Sequence, residues 1–267
     1  MLLLLLLFQG PTVQELQALL EKSETMQPAG LSEPAGYALQ DPLVAALSPT
    51  WGQSFGWKAG LTNPVIQQRF GVDHPISGKM FRQRMYLLER KIPLEDLRGH
   101  VLELDLIVRI GSDQIMTAES DAELFACLDG WCGFIELPFL AYPPGEKLTG
   151  GDLAAINCGF SHGVMGHWYG LPQNALDATG FGAIQADISV GEKVLAQGSV
   201  SAMMTHPLIV VRWLRDHAIE RGQPLKKGDY LSLGGMAAPM PLPGPGVFLV
   251  RYQLGDKLLD SFYLQFK

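Results

Sequence analysis

The chain has 267 residues, of which 47% are hydrophobic and 18% charged, so it can bury a sizeable core without disulfides or a structural metal. Its formal net charge of -7, with no cluster of Lys or Arg, argues against nucleic acid as the main partner. Its three cysteines are an odd number with no CxxC pair, so they suggest neither a disulfide framework nor a thiolate metal site, and a reducing, cytoplasmic location is expected.

The first eleven residues read "MLLLLLLFQGP". This apolar run is too short to span a bilayer, and it lacks the basic segment and small-residue cleavage site of a secretory signal. "LFQGP" also resembles the recognition sequence of a viral cysteine protease that is used to remove expression tags. We therefore expect residues 1–11 to be an added tail, with a native, loosely held tail as the alternative, and we expect no membrane association.

The next segment predicts a small helical region over residues 12–50. In "TVQELQALLEK", Thr12 and Glu15 have the spacing of a capping box, and the apolar residues recur on one helical face. A second helix is predicted in "YALQDPLVAAL", where Pro42 disturbs it. From residue 51 onward, Gly and Pro punctuate short strands, which indicates a mixed, mainly β catalytic domain over residues 51–267.

Strands and hairpins dominate this second region. Hairpins are predicted around Gly191 and Gly255. Two helices interrupt the strands: one is capped by Ser120, and the other has Thr205 as its N-cap candidate and ends before Gly222. Because strands outnumber helices, an α+β fold with a mainly antiparallel, rolled sheet is favoured over a doubly wound one. The strand candidates are residues 55–61, 101–110, 134–137, 163–168 and 182–190.

The strand "VLELDLIVRI" carries two acids in an apolar setting. Glu103 and Asp105 share one face because successive strand residues point to opposite faces, and the leucines line the other face. Two like charges side by side repel each other, and partial burial increases that repulsion. The compensating group is a cation, a basic side chain or a shared proton, and the sequence leaves these three open.

A third acid, Glu136, lies in the apolar stretch "GFIELPFL". Three carboxylates in two apolar strands predict an all-oxygen site for a hard divalent cation such as Mg²⁺ or Mn²⁺. The alternative is that each acid lies at a sheet edge or pairs with an arginine, for which Arg109 and Arg251 are the candidates.

The stretch "FGWKAGLTNP" carries Lys58 in a short strand flanked by glycines. Glycines allow a ligand to approach the backbone closely. Lys58 is therefore a candidate to bind a carboxylate or, if its pKa is lowered, to transfer protons. The alternative is a solvated lysine at the end of a strand.

These segments together resemble the 2-keto-4-pentenoate hydratase branch of the fumarylacetoacetate hydrolase superfamily, to which related 2-oxo acid decarboxylases belong. The resemblance spans roughly residues 12–266. It rests on several motifs in the family's order and spacing: "GWKAGLT", "GVDHP", "ELD", "FIE", "NCGFSHGVMG", "THPL" and "LKKGDYLSLGG".

The resemblance implies a distorted β-roll with a helical N-terminal region, a divalent metal (Mg²⁺ or Mn²⁺) and a small-molecule 2-oxo acid as substrate, in a homo-oligomer. Lys58 falls on the family's active-site lysine. The implied metal ligands are Glu103, Asp105 and Glu136. The implied substrate-binding residues are Leu61 (through its backbone N–H), Asn157 and Ser161.

The chain also departs from the family pattern. Ile76 stands where the family has an acid, and Gly159 and Phe160 replace two serines. These losses weaken the case for ordinary hydration, because adding water needs a positioned acid and base. We expect a lyase that acts on a 2-oxo or 2-hydroxydienoate acid through a metal-stabilised enolate. The alternatives are a 2-oxo acid decarboxylase, a C–C bond hydrolase or a non-catalytic, complex-forming homologue. The new polar residues in the same segments are His74, Lys79, His162 and His167, and the neighbouring Cys158 is expected to be a small buried residue.

Overall fold

A computed structural model of the chain describes residues 10–171 and 176–267. Most of the predicted tail at residues 1–11 therefore lies outside the described residues. The helices in the described part are α1 (Val13–Lys22), α2 (Glu33–Trp51), α3 (Pro64–Phe70), α4 (Asp121–Ala126), α5 (Gly150–Ala155), α6 (Ala178–Phe181) and α7 (Pro207–Glu220). Across those same residues, no helix has the length and apolar character that a membrane span requires.

The strands form two sheets. They are β1 (Ser54–Gly60), β2 (Ile76–Phe81), β3 (Met85–Tyr86), β4 (Lys91–Ile92), β5 (Val101–Ile110), β6 (Leu128–Leu137), β7 (His162–Met165), β8 (Tyr169–Gly170), β9 (Gln185–Val190), β10 (Lys193–Ser199), β11 (Tyr230–Ser232), β12 (Met240–Pro241), β13 (Gly246–Leu254) and β14 (Lys257–Phe266).

The larger sheet has the strand order β2-β1-β11-β5-β6-β7-β3, with β12 paired to β5 and β8 paired to β6. The smaller sheet has the order β10-β9-β13-β14-β4. Most pairs are antiparallel, while β1–β11, β3–β7 and β4–β14 are parallel. The predicted α+β class is confirmed, and both predicted hairpins are present as β9–β10 and β13–β14.

The two faces of the larger sheet pack against different layers. Leu102, Leu104 and Leu106 on one face of β5 join a core shared with β13, β14 and α7. On the other face, Ile107 and Phe134 join a second core shared with α1 and α2. The apolar alternation in "VLELDLIVRI" therefore describes β5 correctly, and it places the acids of this strand on the face that α1 and α2 cover.

The predicted capping box of α1 is present, and α2 is longer than predicted. Glu15 N donates to Thr12 Oγ1 at 3.2 Å, and Thr12 N donates back to Glu15 Oε2 at 2.8 Å. Helix α2 continues through Pro42 and a second proline for 19 residues. Its buried leucines, including Leu43 and Leu47, anchor it to the second core. This packing outweighs the cost of about 3 kcal/mol for a proline in a helix interior.

Helix α7 begins one residue later than predicted. Its N-cap is His206, whose Nδ1 accepts a hydrogen bond from Leu208 N at 3.2 Å. Thr205 has a φ of 72°, a left-handed conformation that differs from the extended backbone of an N-cap. The N-cap prediction for Thr205 was therefore wrong, because a strained turn at residues 204–205 leads into the helix.

Candidate active site

The three acids meet on one face of the larger sheet. The register of β5 and β6 sets Glu103 directly opposite Glu136, and Asp105 follows two residues along on the same face. Glu136 and Asp105 are buried, with 1% and 0% of their surface exposed, and Glu103 is partly buried. The structure therefore brings together the three carboxylates that the sequence singled out.

A basic side chain compensates these charges, and that side chain is Lys58. Strand β11 lies between β1 and β5, and it carries Ser232 opposite Lys58. Lys58 Nζ lies 2.5 Å from Glu136 Oε1 and donates a hydrogen bond to the carbonyl oxygen of Cys158 at 2.9 Å. The solvated alternative for Lys58 was wrong, since only 3% of this residue is exposed.

The two arginines considered as partners for the acids are engaged elsewhere. Arg109 pairs with Asp129 at 2.8 Å, and Arg251 pairs with Asp187 at 2.9 Å. Neither arginine therefore offsets the charges at Glu136.

Asp105 is held by two donors. Ser232 Oγ donates to Asp105 Oδ2 at 2.5 Å, and Leu106 N donates to Asp105 Oδ1 at 2.5 Å. Ser232 is fully buried, and we did not predict a role for it from the sequence. The available signal was a lone hydroxyl in the apolar strand "YLSL", which needs a partner when buried.

Burial and mutual repulsion shift the pKa values of the cluster. Burial, followed by the charge of Glu136, raises the pKa of Glu103 to about 7 and raises that of Asp105 well above its usual value. Burial alone would lower the pKa of Lys58, but the charges of Glu136, Cys158 and Glu103 outweigh it, so the net pKa is raised. Lys58 is therefore a charged ammonium here, which differs from the lowered pKa that proton transfer was expected to require.

The carboxylates are not gathered around a single point. Across residues 10–171 and 176–267, no three His, Cys, Asp or Glu side chains have the spacing of a ready metal site. Lys58 lies against Glu136, and Ser232 donates a hydrogen bond to Asp105. Glu136 Oε1 is buried, and the Lys58 ammonium faces it at 2.5 Å. Such an oxygen suits a hard cation.

A left-handed turn aims the Cys158 carbonyl at Lys58. Asn157, Cys158 and Gly159 have φ values of 55°, 53° and 68°. Left-handed conformation costs a non-glycine residue roughly 1–2 kcal/mol, so the turn needs support from its surroundings. Gly78 provides part of that support, because a Cβ at this position would collide with the Asn157 carbonyl.

The predicted substrate-binding side chains are engaged in other contacts. Asn157 Oδ1 accepts from Lys79 N at 2.7 Å, and its Nδ2 donates to Lys79 O at 2.9 Å. Ser161 Oγ lies 2.8 Å from His100 Nε2 and 3.0 Å from His162 Nδ1. Both side chains hold neighbouring segments in place, so their contact with substrate stays a prediction.

Leu61 lies where β1 ends, in the turn three residues after Lys58. It has a φ of 56°, and its carbonyl oxygen accepts from Gln67 Nε2 at 2.8 Å. The predicted role of its N–H toward a substrate carboxylate stays a prediction.

The positions that depart from the family pattern belong to the core. Ile76 and Phe160 are fully buried. Cys158 Sγ donates to the carbonyl oxygen of Ile76 at 3.3 Å, and burial raises its pKa to about 11, so Cys158 is the small buried residue that we expected. Two of the new polar residues have acidic partners of their own: His74 contacts Glu33 and Asp73, and His167 contacts Asp260.

Comparison with curated sequences finds relatives with one recurring name. The chain is 25% identical over 219 residues to a TodF product hydratase from Pseudomonas putida, which covers 81% of this chain and 79% of the relative. It is also 25% identical over 193 residues to a 2-keto-4-pentenoate hydratase from Burkholderia vietnamiensis, covering 72% of each chain. No family model matches the chain.

Comparison with solved structures finds similar folds. The structure is similar to 4-oxalocrotonate decarboxylase from Pseudomonas putida G7 complexed with magnesium and adipate, with a TM-score of 0.82, 18% sequence identity and coverage of 96% of this chain and 95% of that one. A fumarylacetoacetate hydrolase family protein from Yersinia pestis aligns with a TM-score of 0.54 and 11% identity, over 79% of this chain and 92% of that one.

Proposed function

Since the chain belongs to the fumarylacetoacetate hydrolase superfamily, in the branch of the 2-keto-4-pentenoate hydratases and 4-oxalocrotonate decarboxylase, we propose that it is a divalent-metal-dependent lyase. Its substrate is a 2-oxo or 2-hydroxydienoate acid. The observation that carries the proposal is the buried cluster in which three carboxylates share one sheet face with Lys58, itself held between Glu136 and the Cys158 carbonyl.

The donor set of this cluster fits a hard divalent cation. Carboxylate oxygens are the ligands that Mg²⁺ and Mn²⁺ prefer, and three carboxylates lie on one sheet face here, two of them almost fully buried. We assign Glu103, Asp105 and Glu136 as the ligands, with Mg²⁺ as the first candidate and Mn²⁺ as the second. A bound cation supplies the positive charge that stabilises an enolate of a 2-oxo acid.

Lys58 is the proposed catalytic residue. Its ammonium keeps its proton while Glu136 faces it, since burial alone lowers the pKa of Lys58. If Glu136 instead binds a divalent cation, the pKa of Lys58 falls toward that of a neutral amine. A neutral amine can take a proton from the substrate and return it. Leu61, at the end of the same strand, is assigned to bind the substrate carboxylate through its backbone N–H.

Decarboxylation of a 2-oxo acid is the second candidate. Ile76 is fully buried, and by the family resemblance it stands where the family usually has an acid. Decarboxylation needs the same enolate but no attacking water, so the loss of that acid affects it less. The fold similarity to a decarboxylase over 96% of the chain supports this candidate.

The remaining expectations stay part of the proposal. A cytoplasmic homo-oligomer that acts in aromatic catabolism follows from the family resemblance.

The test is a product assay with both substrate types. Purified protein with Mg²⁺ is given 2-keto-4-pentenoate and, separately, 4-oxalocrotonate, and the products are followed by NMR. Water addition supports the hydratase, and release of carbon dioxide supports the decarboxylase. The variant Glu136→Gln should lose turnover, whereas Glu146→Gln, an exposed glutamate in a loop, should keep it. Absence of Mg²⁺-dependent turnover with either compound would favour the non-catalytic alternative.

A further inference from the structure

Ser232 is a fully buried serine in the larger sheet, on the face that carries the acids. It lies in β11 between β1 and β5, paired with Lys58 on one side and with Ile107 on the other. None of its surface is exposed, so water does not compete for its hydroxyl. This hydroxyl donates to Asp105 Oδ2 at 2.5 Å, and it has no second acceptor in the part of the chain that the structure describes. Ser232 is therefore a dedicated partner of this carboxylate.

Asp105 is the most restrained of the three carboxylates. Its Oδ1 accepts from Leu106 N at 2.5 Å, so each of its two oxygens has a donor. Glu136 faces the end of the long Lys58 side chain, and Glu103 accepts no hydrogen bond from any of the described residues. A glutamate side chain also has one more rotatable bond than an aspartate side chain. The rigidity of the proposed metal site therefore depends mainly on Asp105.

The Ser232 hydroxyl restrains Asp105 without competing for a cation. It is a neutral donor, so it adds no positive charge to the site, whereas the Lys58 ammonium does so at Glu136. Each carboxylate oxygen can accept more than one contact, so both oxygens of Asp105 remain able to bind a metal. The other donor to Asp105 is a backbone N–H, which any residue supplies, and the hydroxyl is therefore the part of this restraint that the side-chain sequence specifies.

We propose that Ser232 is a positioning residue that biases the site toward Mg²⁺ and against Ca²⁺, because it holds Asp105 in one place. This inference rests on the proposed function, in which Asp105 is a metal ligand. Mg²⁺ requires nearly ideal octahedral geometry with oxygens at about 2.0–2.1 Å, whereas Ca²⁺ accepts about six to eight oxygens at about 2.3–2.6 Å in irregular geometry. A restrained carboxylate suits the smaller and stricter ion. A carboxylate that can move adapts to the larger ion.

The test is calorimetric titration of the intact protein with Mg²⁺ and, separately, with Ca²⁺. In Ser232→Ala, the affinity for Mg²⁺ should fall roughly 10–100-fold, the usual effect of removing a hydrogen-bond partner from a metal ligand. The affinity for Ca²⁺ should fall much less, so the ratio of the two affinities should shift at least roughly 5-fold toward Ca²⁺. A merely structural role would lower both affinities together. Circular dichroism establishes that each variant is folded at the temperature of the titration.

Two further variants control the result. Ser189→Ala removes another buried serine hydroxyl, which donates to the Leu249 carbonyl oxygen at 3.5 Å in the smaller sheet, and it should leave both affinities unchanged. Ser232→Cys keeps a side chain of similar size with a weaker donor, so its ratio should lie between those of the wild type and Ser232→Ala. It also provides the comparison if Ser232→Ala does not fold.

Two kinds of failure are distinguishable in this experiment. If the wild type binds Mg²⁺ but the folded Ser232 variants keep its ratio of affinities, the proposal for Ser232 is overturned and the metal site stands. If the wild type binds neither ion at millimolar concentration, the metal site of the proposed function is overturned, and the role of Ser232 with it. Neither result depends on turnover.

Discussion

At the scale of single residues, Lys58 explains how an apolar sheet tolerates three buried acids. Isolated carboxylates in a protein interior take up protons or acquire partners. One ammonium offsets one charge, while burial and then the charge of Glu136 raise the pKa of Glu103 to about 7. A divalent cation would complete the compensation that Lys58 begins. Lys58 and a cation therefore compete for Glu136.

This competition predicts opposite effects of Lys58→Met on binding and turnover. Removing the ammonium frees Glu136 Oε1, so the affinity for Mg²⁺ should stay the same or increase. Turnover should fall roughly 10²–10⁴-fold, the usual contribution of a residue that transfers protons. Calorimetry and the NMR assay measure the two quantities, and Lys193→Met is the exposed control. Unchanged turnover in a folded Lys58→Met variant would remove Lys58 from the mechanism.

Buried histidines near Ser161 predict an acid-sensitive fold. Burial lowers the pKa of His162 to about 2, and that of His100 to about 4. The unfolded chain takes up these protons near pH 6.5, so the stabilisation is complete above that pH and is lost as the pH falls. Between pH 6.5 and pH 4.5, the unfolding free energy of the wild type should fall by on the order of 1–3 kcal/mol more than that of His162→Gln. Urea unfolding across this range measures the difference, and equal slopes would contradict it.

At the scale of elements, the left-handed turn at residues 157–159 connects two strands of the site. Asn157 binds the backbone of β2 through both amide atoms, and the next residue presents its carbonyl to Lys58 in β1. The turn therefore fixes the lysine relative to the sheet edge.

Asn157→Ala removes both hydrogen bonds and leaves a left-handed φ on a residue that disfavours it. We expect a loss of about 2–4 kcal/mol in unfolding free energy, from two buried hydrogen bonds and added backbone strain. Asn157→Asp keeps the acceptor for Lys79 N but sets a buried carboxylate oxygen against the Lys79 carbonyl oxygen, so it should lose at least as much. Thermal and urea unfolding measure both variants. Wild-type stability in Asn157→Ala would show that the turn is held by other contacts.

Local signals in the sequence predicted the local structure well. The capping boxes at Thr12 and Ser120 are both present, and β5 has the predicted bounds. Alternation along β5 correctly assigned its acids to one face, since side-chain direction in a strand depends only on neighbouring residues.

Such local signals could not predict contacts between residues that are distant in the sequence. Ser232 bonds to Asp105 across 127 residues, and nothing near either residue specifies the other. For Asn157 and Ser161, the local motif led to a prediction that the structure has not confirmed. Their motif suggested substrate contacts, but tertiary packing supplies them with protein partners at Lys79 and His100.

At the scale of the whole molecule, Tyr252 joins the smaller sheet to the acid-bearing strands. From β13, its hydroxyl donates to the carbonyl oxygen of Asp105 at 2.7 Å and accepts from Phe134 N at 2.9 Å. Gly133 leaves room for the ring, because a Cβ there would collide with it. The position of Asp105 is thus set partly by a sheet on the other side of the core.

Tyr252→Phe should weaken the site as well as the fold. The unpaired groups in β5 and β6 cost about 1–3 kcal/mol in unfolding free energy. The Mg²⁺ affinity of the folded variant should also fall, because Asp105 is no longer fixed. Calorimetry at a temperature where the variant is folded separates the two effects, and Tyr263→Phe, an exposed tyrosine in β14, is the control. Wild-type Mg²⁺ affinity in Tyr252→Phe would contradict the link between the sheets.

Calorimetric titration with Mg²⁺ tests most directly whether the buried carboxylates hold a divalent cation. The wild-type protein should bind about one Mg²⁺ per chain, more tightly as the pH rises through about 7, since Glu103 must lose its proton. Glu136→Gln should abolish this binding, and Glu146→Gln should retain it. Absence of binding at millimolar Mg²⁺ and pH 8, or binding that survives Glu136→Gln, would show that Lys58 is the only cation this cluster holds.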